Sequence, residues 1–120
     1  MYIYEINIPM HNTGLPNSES YEEEMSDTKS FGLTENEYHF LRSPKGLFDL
    51  FDSKYGTIID EGEEDRIEKI NLEEALKDTK SFINKNINDI EYSALTKVIS
   101  SLELAIQVGS FWEIDIYWVP

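Results

Sequence analysis

The amino-acid sequence predicts an α+β fold in which a small antiparallel or mixed sheet packs against two long helices. Residues 2–9 and 111–119 alternate between apolar and polar side chains, which indicates strands, whereas residues 72–86 and 90–108 repeat apolar side chains at helical spacing. The chain has 120 residues, enough to bury one ordinary core. We therefore expect a single domain, spanning residues 1–120, whose sheet contains the first strand, a central hairpin and the last strand.

The first strand is predicted at the N-terminus. One side of it carries four large apolar residues, Tyr2, Tyr4, Ile6 and Ile8. Pro9 ends the strand, because proline cannot donate a hydrogen bond to a β-ladder. Residues 10–33 contain glycine, proline and an acidic run without sustained periodicity, and are predicted to form a long surface loop.

Two short helices are predicted next. Thr34 and Glu37 form the capping-box pattern that starts the first helix, although the alternating aromatic residues that follow would also suit a strand. Ser43 is expected to cap the second helix, with Pro44 at its first helical position. Gly56 is expected to end that helix, because glycine readily adopts the left-handed conformation found at helix C-termini.

A central hairpin and a long helix are predicted after Gly56. Residues 57–59 and 66–70 are short apolar runs separated by the acidic tip, residues 60–65, and are expected to pair as a hairpin. Asn71 with Glu74 three positions later predicts the N-terminus of the first long helix.

The C-terminal part of the chain predicts a second long helix and a strand. Gly109 follows the helical repeat at the position where a left-handed residue ends many helices. In the last strand the predicted core face carries Trp112, Ile114, Ile116 and Trp118. The opposite face carries Glu113, Asp115 and Tyr117, so this strand is predicted to lie centrally with both tryptophans packed beneath it.

Charge is the strongest compositional signal. The chain has 24 aspartate and glutamate residues against 10 lysine and arginine residues, for a net charge of −14. Such a field repels nucleic acid and anionic lipid and attracts a basic protein, although acidity can also serve solubility alone. The absence of cysteine, of a signal peptide and of a long apolar run predicts a cytoplasmic location without membrane association.

No catalytic or cofactor motif is visible, so we expect neither enzymatic activity nor a cofactor or metal. The two histidines, His11 and His39, are far apart in sequence, and neither a phosphate-binding loop nor a nucleophile elbow occurs. One enzymatic alternative remains open: Glu5, Glu113 and Asp115 could form an acid–base or metal site if the terminal strands pair. The polar faces of half-buried strands nevertheless carry carboxylates without any such role.

The chain resembles the small acidic immunity proteins of polymorphic bacterial toxin systems, including those of contact-dependent growth inhibition. The resemblance lies in size, acidity, absence of cysteine and overall layout, from residues 2–6 through residues 102–109 to the terminal aromatic strand. It implies a cytoplasmic protein that binds one cognate toxin, often a basic nuclease, and covers its active site or substrate groove.

Acidic residues with neighbouring tyrosines are the candidates for contact with such a partner. Carboxylates would replace the phosphates that a nuclease binds, and a few desolvated aromatic anchors would supply affinity. The predicted contact residues are Tyr21, Glu22, Glu23, Glu24, Asp60, Glu61, Glu63, Glu64, Asp65, Glu113, Asp115 and Tyr117. An alternative function is that of an acidic nucleic-acid mimic, which would bind many DNA- or RNA-binding proteins instead of one.

Overall fold

The computed structural model describes residues 1–11 and 27–120, and it has the α+β fold expected from the sequence. The strands are β1 (Tyr2–Pro9), β2 (Thr28–Leu33), β3 (Glu64–Ile67) and β4 (Trp112–Trp118). The helices are α1 (Glu35–Arg42), α2 (Leu47–Tyr55), α3 (Leu72–Ser81) and α4 (Asp89–Val108), with a 3₁₀ turn at Lys69–Asn71. Within these described ranges, no helix combines the length and apolar character needed to cross a bilayer.

The four strands form one antiparallel sheet in the order β2-β1-β4-β3. The two terminal strands, β1 and β4, are therefore the central pair, in register from Tyr2 opposite Trp118 to Asn7 opposite Glu113. This confirms both terminal strands and the central position predicted for the last one. Strands β2 and β3 form the two edges.

The core lies between the helices and one face of the sheet. Ile6 and Ile8 of β1 are fully buried there, as is Trp112 of β4. The Trp112 indole also donates a hydrogen bond to the buried hydroxyl of Ser101 in α4, at 2.8 Å. This bond satisfies the one polar group of the tryptophan inside the apolar core.

Strand β2 occupies the end of the segment predicted as a long loop, so that prediction is wrong for residues 28–33. The strand was missed because only Phe31 and Leu33 are apolar in it. An edge strand needs apolar side chains on one face only, and β2 obtains its order from pairing with β1, with Leu33 opposite Tyr4. The rest of the predicted loop lies largely outside the described residues.

The predicted central hairpin is wrong in its pairing. β3 pairs with β4, and residues 57–59 form no strand. Polar side chains, not a β-ladder, provide the hydrogen bonds of this stretch. The Thr57 hydroxyl donates to the Asp52 carboxylate at 2.6 Å, and the Asp65 carboxylate accepts a hydrogen bond from the Ile58 amide. Residues 57–59 therefore run beside the sheet without joining its ladder.

Two helix starts differ from the prediction. Ser43 ends α1 and does not cap α2, because its hydroxyl donates to the Phe40 carbonyl at 2.6 Å. Lys45 then adopts a left-handed φ of 61°, which delays the start of α2 until after Gly46. Asn71 precedes α3 without a side-chain cap, since the 3₁₀ turn already leads into that helix.

Only one of the two predicted long helices is long. α3 has 10 residues and stops at Ser81, five residues before the predicted end, whereas α4 has 20 residues. The capping box of α4, between Asn88 and Glu91, stabilises its start, and Gly109 ends it with a left-handed φ of 82° as predicted. Gly56 ends α2 in the same predicted way, with a φ of 71°.

Glu37 is a buried charge that joins α1 to α4. One of its carboxylate oxygens accepts the Thr34 amide at 2.8 Å and the Lys97 ammonium at 2.7 Å, and the other accepts the Ser93 hydroxyl at 2.5 Å. Burial opposes ionisation of this side chain, which is only 3% exposed, but the hydrogen bonds from Lys97 and Ser93 outweigh it and lower its pKa to about 2. The capping box predicted for α1 therefore also serves as a tertiary contact.

We expect Glu37 to make the protein acid-sensitive. Because its native pKa of about 2 lies below its ordinary value of 4.5, the stabilisation is complete above that ordinary value and is lost as pH falls towards 2. The free energy of unfolding should drop by about 3 kcal/mol from this residue over that interval. In urea titrations at a series of pH values, Glu37→Gln should be less stable than the parent protein at pH 7, and its free energy of unfolding should fall less steeply as the pH is lowered. Glu103→Gln changes an exposed glutamate and should show the same fall as the parent protein. Equal slopes for the parent and Glu37→Gln would contradict this role.

Candidate functional site

Three carboxylates lie in a row across the sheet face opposite the helices. Glu5 of β1 is directly opposite Asp115 of β4, and Asp115 is directly opposite Glu64 of β3. These three residues are named the carboxylate row. They face away from the core because their chain neighbours in β1 and β4, including Ile6 and Ile114, are buried among the helices.

The carboxylate row places like charges beside one another. Burial raises the pKa of Asp115, and the charges of Glu64 and Glu5 on either side raise it further. Directly opposed like charges weaken an antiparallel sheet, so this arrangement costs stability. Among the residues that the structure describes, no cationic side chain forms an ion pair with Glu5 or Asp115, and residues 12–26 contain no lysine, arginine or histidine.

Tyr117 lies beside the row on the same face. Its hydroxyl donates a hydrogen bond to Glu5 at 3.0 Å, and this bond is the main reason that the pKa of Tyr117 is raised. The half-exposed ring therefore holds one carboxylate of the row in a defined position. The predicted association of Tyr117 with carboxylates is thus present, with Glu5 as its direct partner.

Glu113 has a different environment from the other predicted contacts. It is only 2% exposed, and its carboxylate lies 3.8 Å from the Arg66 guanidinium across the β3–β4 pair. The same guanidinium stacks over the Phe111 ring, 3.7 Å from its centre. This ion pair neutralises Glu113 within the sheet, so Glu113 contributes less to the outward field than Asp115 does.

The acidic tip is divided between two sides of the sheet, because it includes the start of β3. Glu64 joins the carboxylate row, whereas the Asp65 carboxylate accepts backbone amides from Ile58 and Arg66 and is thereby occupied. The exposed residues Asp60, Glu61 and Glu63 belong to the turn that leads into β3. The predicted contacts Tyr21, Glu22, Glu23 and Glu24 lie outside the described residues.

A pocket of about 520 Å³ opens at one end of the sheet. Its aromatic lining comes from Tyr2, Tyr4 and Trp118, and Glu5 places it next to the carboxylate row. Trp118 is 62% exposed, so the prediction that it packs in the core is wrong. Alternation assigns it to the core face, but it lies at the sheet's end, where its ring packs edge-on against Tyr2 with centres 5.1 Å apart.

The three carboxylates of the alternative enzyme site do not share this pocket, which contains Glu5 but neither Glu113 nor Asp115. Within residues 1–11 and 27–120, no group of three or more acidic or histidine side chains is arranged to hold a metal ion. Comparisons of the chain with protein-family models, curated proteins and solved structures found no match. The function of this chain is therefore inferred from its own geometry and charge.

We expect Asp115→Asn to stabilise the protein. The pKa of Asp115 is raised, which means that its ionised form is less favourable in the folded state than in the unfolded state, and the amide removes that repulsion. The free energy of unfolding in urea at pH 7 should rise by about 0.5–1 kcal/mol. Its matched comparison is Glu113→Gln, which should destabilise, because it removes the buried charge beside Arg66. A loss of stability in Asp115→Asn would show that the row is not under repulsion.

Proposed function

We propose that this chain is a cytoplasmic immunity protein that binds and neutralises a basic bacterial toxin, with a nuclease as the expected class. The observation that carries the proposal is the carboxylate row, in which Glu5, Asp115 and Glu64 are aligned on three adjacent strands despite their mutual repulsion. Cationic side chains of a partner would relieve this repulsion on binding. Sites that cost stability in the free protein are often those that function requires.

The mechanism would be substitution of one polyanion by another. A nuclease carries lysine and arginine where the phosphates of its substrate lie, and a row of carboxylates can take the place of those phosphates. Neighbouring strands are about 4.8 Å apart, so the row presents closely spaced charges on backbone that is already ordered. Little conformational entropy is then lost on binding, and exclusion of the substrate requires no chemistry.

The net charge of −14 supports the same function at longer range. Complementary fields raise association rates between proteins by roughly 10 to 10³. An immunity protein benefits from rapid capture, because a toxin damages the cell until it is bound. The resemblance in size, acidity and layout to immunity proteins of contact-dependent growth inhibition adds the toxin as the expected class of partner.

Coexpression tests this function directly. Each open reading frame that neighbours the gene is expressed alone and together with this chain, and we expect one product to arrest growth alone and to be tolerated in the pair. The purified pair should form a complex, and the chain should abolish the activity of that product. A nucleic-acid mimic would instead bind many unrelated DNA- or RNA-binding proteins in pull-down experiments, and that outcome would replace the proposal.

The carboxylate row is tested by neutralising it. The triple variant Glu5→Gln, Glu64→Gln, Asp115→Asn should associate with the toxin at least about tenfold more slowly at low salt and should protect cells poorly. The control triple variant changes three exposed glutamates away from the row, Glu68→Gln, Glu73→Gln and Glu103→Gln, and so removes the same charge. It should lose much less. If both variants lose affinity equally, the row has no role beyond net charge.

A further inference from the structure

The pocket at the end of the sheet results from unequal strand lengths. β2 stops pairing with β1 at Leu33, opposite Tyr4, whereas β1 continues to Tyr2 and pairs there only with β4. Within the described residues, no strand covers this edge of β1 beyond Leu33, and the pocket lies in the resulting notch. Its volume of about 520 Å³ lies within the range of roughly 300–1,000 Å³ that is typical of ligand sites.

Aromatic rings form the apolar wall of the notch. Tyr2 packs edge-on against the exposed Trp118 ring, and Tyr4 stacks on the buried Tyr38 ring with centres 4.4 Å apart. Trp118 is thus held at its edge while more than half of its surface remains accessible. The face of an indole is the best aromatic surface for a cation in proteins.

Carboxylates from two elements lie close to this wall, Glu35 from the first turn of α1 and Glu61 from the turn before β3. Glu5 also lines the notch, but its side chain lies on the opposite sheet face, where it accepts the Tyr117 hydroxyl. Burial raises the pKa of Tyr4, and the nearby charges of Glu61 and Glu35 raise it further, so both carboxylates act on the same ring. None of the described residues that line the pocket is a lysine, arginine or histidine.

We propose that this pocket binds one arginine side chain of the protein partner, stacked on Trp118 and paired with the surrounding carboxylates. This inference rests on the proposed function and assigns one anchoring side chain to the proposed interface. Glu5 lines the notch and also belongs to the carboxylate row on the opposite sheet face, so a basic partner that follows the row past the edge of β1 could place one arginine into the notch. Arginine and aromatic side chains that insert into a pocket of their partner are where interface energy concentrates.

Arginine fits the pocket better than lysine because of its shape. The guanidinium is planar, so it can stack on the indole while its edge donates hydrogen bonds to carboxylates. The ammonium of lysine is compact and strongly hydrated, so it gains less from an aromatic wall. The wall of Tyr2 and Trp118 and the rim formed by Glu35 and Glu61 offer both kinds of contact.

The pocket can be tested without the partner by titrating the ¹⁵N-labelled protein with N-acetyl-arginine amide and following its NMR spectrum. The Trp118 indole N–H and the backbone amides of Gly32 and Glu35 should shift saturably. The neutral isostere N-acetyl-citrulline amide should bind at least about tenfold more weakly, since it lacks the charge. Absence of saturable shifts, or equal binding of the citrulline or lysine analogue, would overturn the assignment to arginine.

Substitutions test whether the arginine probe binds in this pocket. Trp118→Ala should weaken binding of the arginine probe about fivefold or more, and Glu61→Gln about twofold to fivefold, because one removes the stacking surface and the other a charge. Glu103→Gln makes the same charge change on α4, away from the pocket, and should leave probe binding unchanged. Equal effects of Glu61→Gln and Glu103→Gln would show that the probe responds to net charge alone.

The two proposals fail separately. Probe binding without any neutralised toxin would refute only the proposed function. Full neutralisation of a toxin by the folded Trp118→Ala variant would refute only the role of the pocket as an anchor.

Discussion

The antiparallel pairing of β1 with β4 is the constraint on which the rest of the structure depends. It joins residues more than 100 positions apart and makes the two terminal strands the centre of the sheet. Its register sets Ile6 opposite Ile114 in the core and, one residue away, Glu5 opposite Asp115 on the other face. Because side chains alternate along a strand, the same register that pairs Ile6 with Ile114 in the core also pairs Glu5 with Asp115 on the other face.

The buried and half-buried carboxylates of this protein lie in two different kinds of environment. Glu37 and Glu113 lie among donors or beside a cation, and Glu37 in particular stabilises the contact between α1 and α4. Asp115 lies between two other carboxylates, and its raised pKa reflects that environment. The contacts of Glu37 and Glu113 stabilise the fold. The repulsion around Asp115 destabilises it, and the proposed cationic partner would reduce that repulsion on binding.

Local signals in the sequence predicted much of the fold. The alternation in β1 and β4, the capping box of Thr34 and Glu37, and the glycines that end α2 and α4 each encode their element within a few residues. The edge strands were harder to predict. β2 has few apolar residues, and β3 is only four residues long, so the order of both depends on partners distant in sequence.

The sequence by itself determined the net charge, the central strands, the long helix α4 and the acidic polar face of β4, because composition and periodicity are local properties. Only the tertiary structure decided which carboxylates are neighbours. Strand order placed Glu64 beside Asp115 and Arg66 beside Glu113. The early end of β2 formed the notch that the pocket occupies, and the position of Trp118 at the end of the sheet left its ring exposed there. These outcomes depend on register and strand length across the sheet, which no short stretch of sequence contains.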